Sequence, residues 1–418
     1  MADSLVAFGR LLVPCGNQSA IVLSCEYKPL CDGSRTKFPA RNELGACVSS
    51  LAMWFLFVAC AVTWPTSDKP LFAQGQVETK TLSRIRVSDD GRGFVTVTDG
   101  KRFTPWGFNY DHDRDNRLLE DYWNSEWESV AADFREMKSL GANAVRIHLQ
   151  FSKFMDAVDK PNAAALHQLG KLLQLAERTR LYVDLTGLGC YHQRDVPGWY
   201  DDLDEAGRWQ AQANFWRAVA ERCKSSPAVF CYDLMNEPVV PGGMRKPREW
   251  LGPPFGDKYF VQFITLDQAN RPRPEIARAW TRQLVQAIRE VDTHHLVTVG
   301  LVDWSLNKPG LTSGFEPAAI VPEVDFLCVH LYPERGKVEA AIETLRGFAC
   351  GKPLVIEETF PLKCDTEEFE RFVKQSSANA DGWFGFYWGK TLEESRRANT
   401  IPDAIFAKWL EFFSSHTP

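Results

Sequence analysis

Residues 228–238 read AVFCYDLMNEP. The run 228–235 is nearly all apolar and lacks the in–out alternation of a strand with one wet face. It stops abruptly at Asn236-Glu237-Pro238. Such a run reads as a strand buried on both faces. Seven others share its texture: 103–109 (FTPWGFN), 143–149 (NAVRIHL), 181–186 (LYVDLT), 295–302 (HLVTVGLV), 325–332 (DFLCVHLY), 353–358 (PLVIEE) and 382–388 (GWFGFYW). Helical patterns lie between them. Ser125 and Glu128 read as a capping box, with Trp127, Val130, Phe134 and Met137 on one face and Gly141 as terminator. Ile276, Trp280, Leu284, Ile288 and Val291 recur at helical spacing, and Asp365-x-x-Glu368 opens a helix carrying Phe369, Phe372 and Val373. Eight strand-then-helix units over about 310 residues predict an α/β fold of the (β/α)8 barrel type. A doubly wound sheet is the alternative. Neither GxGxxG nor GxxxxGK[ST] follows any strand, so nucleotide binding has no support.

The barrel does not account for the N-terminus. From Leu44 to Trp64 runs an uncharged stretch, LGACVSSLAMWFLFVACAVTW, long enough to span a bilayer. It reads as an export signal or membrane anchor within an extension of residues 1–66, with Met53 an alternative start. Residues 67–83 form a polar linker. The catalytic domain is expected over 84–418 and opens with a β-hairpin over 84–102, marked by Asp90-Gly91 and Asp99-Gly100. The expected location is therefore outside the cytoplasm, either secreted or periplasmic, or anchored through 44–64.

The 418 residues carry a net charge of −6, with 24% charged and 44% hydrophobic residues, which excludes a disordered chain and gives no nucleic-acid footprint. Eleven cysteines without a CxxC pair argue against a cysteine zinc site. Cys231 and Cys328 sit in apolar runs and read as buried thiols, whereas Cys350 and Cys364 flank a strand and are a candidate bridge. His148, His192, His294, His295 and His330 match no familiar ligand spacing, so no metal is expected, and no GxSxG occurs.

In a barrel of this kind the site lies at the C-terminal ends of the strands. Those ends carry Arg146 and His148, Asn236 and Glu237, His330 and Tyr332, Glu357 and Glu358, and Tyr387 and Trp388. Two carboxyls across one mouth suit retaining glycoside hydrolysis, which needs them about 5–5.5 Å apart. Pleat parity puts Leu354, Ile356 and Glu358 on one face, so Glu357 is expected to point toward the helices.

With LMNEP at 234–238, HLYP at 330–333, PLVIEET at 353–359 and Trp388 in that order, residues 103–414 resemble glycoside hydrolase family 5, the cellulase family, within the clan of (β/α)8 retaining hydrolases. The resemblance implies Glu237 as general acid/base and Glu358 as nucleophile. It implies Asn236 at the sugar 2-hydroxyl, Arg146 and Tyr332 on the nucleophile, His330 near the acid/base, and Trp388 as floor under the reacting sugar. One departure stands out. The family's third strand often ends Asp-x-His, whereas this chain has Asp184-Leu185-Thr186, with His192 in the following loop as the candidate replacement. Trp199, Tyr200, Trp250 and Trp304 lie on loops and are candidates for sugar stacking or for packing. The long stretch Val239–Pro274 beside Glu237 is expected to shape the cleft.

The expected activity is retaining hydrolysis of a β-glycoside in an oligo- or polysaccharide of glucan or mannan type. No cofactor or nucleic-acid partner is expected, and the chain is expected to be a monomer. Transglycosylation on the same scaffold and non-catalytic carbohydrate binding are the alternatives.

Overall fold

A computed structural model describes residues 81–308, 310–398 and 400–417. The expected N-terminal extension of residues 1–66, with its apolar run 44–64, and most of the expected linker lie outside the described residues.

Eight parallel strands close into a barrel. They are β1 (Trp106–Tyr110), β2 (Ala144–Gln150), β3 (Tyr182–Gly189), β4 (Val229–Asn236), β5 (Leu296–Val302), β6 (Leu327–His330), β7 (Leu354–Thr359) and β8 (Gly382–Gly385). Each pairs with its neighbours in chain order, and β8 returns to β1. All eight expected strands are present, and the doubly wound alternative falls with the closure. Helices between them include α1 (Trp127–Ser139), α2 (Ala163–Thr179), α3 (Glu205–Cys223) and α4 (Arg273–Arg289), with α5 (Ile401–Ser415) after β8. Their apolar stripes cover the outside of the barrel: Val130, Phe134 and Met137 on α1, and Ile276, Trp280, Leu284 and Ile288 on α4, are all buried.

The expected hairpin is the first half of a three-stranded antiparallel meander, Ile85–Val87, Phe94–Thr96 and Arg102–Phe103. It stops the bottom of the barrel. Phe94 meets Phe230 and Phe326 edge-on, each at 5.1 Å, and Phe103 meets Tyr182 at 4.7 Å. This buried aromatic plug leaves the opposite end as the open mouth.

Two local expectations differ from the structure. Ser125 does not cap α1. Its Oγ donates to the carbonyl of Tyr122, where a one-turn helix ends, and α1 starts two residues later without a side-chain cap. Asp365, by contrast, accepts from the Glu368 amide as the sequence suggests. Cys350 and Cys364 are both free thiols, so the bridge does not form, while Cys231 and Cys328 are buried as expected.

Candidate active site

Strand pairing slips by a residue near the mouth in four places: between β2 and β3, between β4 and β5, between β6 and β7, and between β7 and β8. Such bulges re-aim side chains. On β7, Val355 belongs to the plug inside the barrel, while Leu354 and Ile356 pack in the helix layer. Glu357 therefore continues the inward face. The expectation that it points toward the helices is wrong, because the bulge brings Glu358 inward as well.

Arg146 of β2 ties the mouth together. Its Nη1 donates to Glu358 Oε1 at 2.7 Å and to Asn109 Oδ1 at 2.8 Å. Its Nη2 donates to Asp233 Oδ2 at 2.8 Å and to Asn236 Oδ1 at 3.0 Å, with Glu357 Oε2 3.5 Å away. Tyr332 donates its phenol to Glu358 Oε2 at 2.8 Å. His330 Nδ1 is 3.0 Å from Glu237 Oε1, and its Nε2 is 3.3 Å from Glu357 Oε2. One ligand atom each from Glu237, His330 and Glu358 lies within 4.8 Å of the others. Glu237 occupies a left-handed backbone position, φ 48°, and its amide donates to the Gly300 carbonyl at 3.0 Å. Gly300 must be small, since a Cβ there would stand 3.0 Å from both Glu357 Oε2 and His330 Nε2.

The charges have clear causes. Burial alone would discharge His330, but Glu358, Glu237 and Glu357 overcome it and hold its pKa at about 10. Burial raises Glu358 above the ordinary carboxylate range, against the pull of His330 and Arg146. Burial also works on Glu357, but Arg146 and His330 win and bring it down to about 2. Below the pair, burial and the charges of Glu357 and Asp233 drive Asp184 well upward. Asp184, Asp233 and Glu357 bring one carboxylate oxygen each within 4.8 Å of the others. Burial and Glu357 bring Asp233 up to about 6, with Arg146 opposing.

Of the residues named from the sequence, Arg146, Asn236, Glu237, His330, Tyr332 and Glu358 converge. Trp388 does not. It is 1% exposed, packs edge-on against Phe108 at 5.4 Å and lies beside Asp133 of α1. The regular ladder ends at Gly385, so parity does not carry to 388, and the ring turns into the helix layer. The half-buried Phe386 stands at the mouth instead, 6.5 Å from Tyr332 and 6.4 Å from Phe260. Thr186 donates to Asp233 Oδ2 at 2.8 Å, below the mouth. His192 is buried in its loop, whereas His148 lies against Tyr191 and Asn109. Trp250 is packing: its indole donates to the Asp201 carbonyl and Arg208 stacks on it.

Sequence reading missed Asn109, Asp233, Tyr191 and Phe386, and named Asp184 only as the start of the strand-three motif. The one available signal was polar residues inside otherwise apolar strands, as with Asp233 in FCYDLM.

A family model described as cellulase (glycosyl hydrolase family 5) matches residues 100–391. A probable mannan endo-1,4-beta-mannosidase C of Aspergillus terreus is 27% identical over 37% of this chain and 36% of its own. A mannan endo-1,4-beta-mannosidase A of Hypocrea jecorina is 20% identical over 68% and 69%. The chain thus spans from about a third to about two thirds of the length of these relatives. Among solved structures, an exo-beta-1,4-mannosidase of an Opitutaceae bacterium has a TM-score of 0.58 at 17% identity, covering 79% of this chain and 61% of its own. An endo-1,4-beta-mannanase of Rhizomucor miehei has 0.55 at 18%, covering 80% and 100%. At such identities the structural likeness concerns the barrel.

Proposed function

The chain belongs to glycosyl hydrolase family 5, and from that premise we propose that it hydrolyses a β-mannosidic bond by double displacement. The observation that carries this is the convergence of Glu237 and Glu358 within 4.8 Å, with Arg146 and Tyr332 fixed on the two oxygens of Glu358. That spacing suits a covalent intermediate and leaves no room for a water beneath the sugar.

In the first step Glu237 gives its proton to the glycosidic oxygen, and Glu358 Oε attacks the anomeric carbon as the C–O bond breaks. In the second, Glu237 takes a proton from water, whose oxygen attacks the same carbon and releases Glu358. Arg146 and Tyr332 hold the attacking carboxylate in register and oppose the rise that burial gives its pKa. His330 holds one oxygen of Glu237 and leaves the other for the substrate. Asn236, fixed by Arg146 and by the Phe260 carbonyl at 3.2 Å, faces the 2-hydroxyl in this reading. No metal is needed for either step. The mannan side of the choice rests on the relatives, which are mannan-cleaving enzymes by name.

We place the enzyme outside the cytoplasm, with 44–64 as export signal or anchor. The support is that uncharged run; among the described residues no helix is long and apolar enough to cross a membrane. NMR of the first product from an aryl β-mannoside tests the mechanism. The β-anomer should appear before mutarotation, and an α-anomer appearing first would exclude double displacement.

A further inference from the structure

The segment after β4 leaves Asn236 and Glu237 and does not stay on its own side of the mouth. Gln262 donates to the Leu188 carbonyl at 2.7 Å, at the end of β3. The Tyr259 amide donates to the Tyr191 carbonyl at 3.0 Å, and its phenol to Gln193 at 3.0 Å. The same segment then reaches the loop after β1. There Asn116 Nδ2 donates to Asp257 at 2.8 Å, and Lys258, itself buried, donates to Asn116 Oδ1. Phe260 packs on Tyr191 at 4.9 Å and touches Phe386 after β8. Residues 257–260 therefore bridge the strand ends of β8, β1 and β3, with β2 between them.

The line from Glu237 on β4 to Glu358 on β7 divides the mouth in two, and a substrate chain must cross it. The bridge occupies one flank, β8 to β3. The leaving sugar has to sit beside the acid. Glu237 is the more open of the two carboxylates, its side chain 19% exposed against 8% for Glu358. The sugar that becomes attached to Glu358 thus lies on the bridged flank, over Phe386. At that end Asp111 is fully buried, holds His112 at 2.8 Å and keeps its other oxygen without a hydrogen-bond partner. A sugar hydroxyl is a donor of the right kind for it.

We propose that the 257–260 bridge closes the glycone end of the mouth, so that the enzyme takes a terminal, non-reducing sugar and removes it from the chain end. The inference rests on the double-displacement reading above and deepens it. An exo enzyme releases one sugar at a time and leaves polymer length, and hence viscosity, nearly unchanged early in the reaction.

The test uses the full chain with reducing-end-labelled mannotetraose and soluble mannan, beside the matching glucan substrates. The expected first products are the free monosaccharide and the labelled trisaccharide, with no early fall in viscosity. Turnover that yields labelled mono- or disaccharide first, with a rapid fall in viscosity, would overturn the exo inference while leaving the glycosidase reading intact. Absence of turnover on every β-glycoside would overturn both. Cutting the bridge with Asn116→Ala and Asp257→Ala should raise kcat/KM on polymer relative to an aryl β-monoglycoside by at least about tenfold. An equal fall on both substrates would show that the bridge only stabilises the fold, and would also overturn the inference.

Discussion

Replacing Glu357 by Gln removes one negative charge from beneath the mouth and keeps the shape. In the structure Glu357 Oε2 stands 3.3 Å from His330 and 3.5 Å from Arg146, with no exposure. At an effective dielectric of about 20, opposite unit charges at such distances attract by about 5 kcal/mol. Desolvation offsets part of this, and losing one partner of a buried pair costs about 3–5 kcal/mol. Gln still accepts from His330, so the expected loss lies at the lower end, about 3 kcal/mol. Its pH dependence has a defined sign. Glu357 is depressed from 4.5 to about 2, so its stabilisation is present above 4.5 and lost as pH falls toward 2. His330 is raised from 6.5 to about 10, so its stabilisation is complete below 6.5 and lost as pH rises toward 10. The gap between wild type and E357Q should therefore be widest between those two ordinary values. The alkaline limb of activity should also move to lower pH, because His330 has lost a carboxylate that held its proton. Urea denaturation across pH, together with pH–rate profiles, measures both. A variant within about 0.5 kcal/mol of wild type at every pH, with an unmoved alkaline limb, would refute the placement of Glu357 inside the barrel.

Tyr332→Phe removes the hydrogen bond to Glu358, worth about 1.5–3 kcal/mol for a charged partner, so glycosylation should slow by roughly 10- to 150-fold with the Tm nearly unchanged; pre-steady-state release of an aryl alcohol measures it. Phe386→Ala should raise KM or lower kcat with little loss of stability. Trp388→Ala should do the reverse, losing about 3–5 kcal/mol of stability in chemical denaturation, and an activity defect confined to Trp388→Ala would reverse the assignment of the floor. A chain beginning at Gln74 should be soluble and active by the aryl glycoside assay, and insolubility of this form alone would place 44–64 in the folded core.

The barrel was legible because parallel strands covered on both faces need apolar residues throughout, and runs such as 228–235 and 295–302 have nothing else to be. Glu237 and Glu358 were legible for the complementary reason, since each breaks such a run at its C-terminal end. Glu357 was misread because parity assumes an unbroken pleat, and the bulge that serves the site is invisible in PLVIEET. Trp388 was misread because it follows the last paired residue of β8, where side-chain direction depends on the chain's path and not on alternation. Asp184 and Asp233 are common surface residue types. Only their placement around one buried guanidinium explains them. The contacts of Lys258 and Asp257 with Asn116 join positions about 140 residues apart, and no local pattern announces them.

In the proposed mechanism Glu358 bonds to the sugar while Glu237 moves the proton. A 2-deoxy-2-fluoro β-mannoside with a good leaving group slows breakdown of the glycosyl-enzyme, so the intermediate accumulates and can be digested and sequenced by mass spectrometry. One fluorosugar per chain is expected, on the peptide carrying PLVIEET and on Glu358. A label on Glu357 or Glu237, or turnover with no covalent adduct, would contradict it.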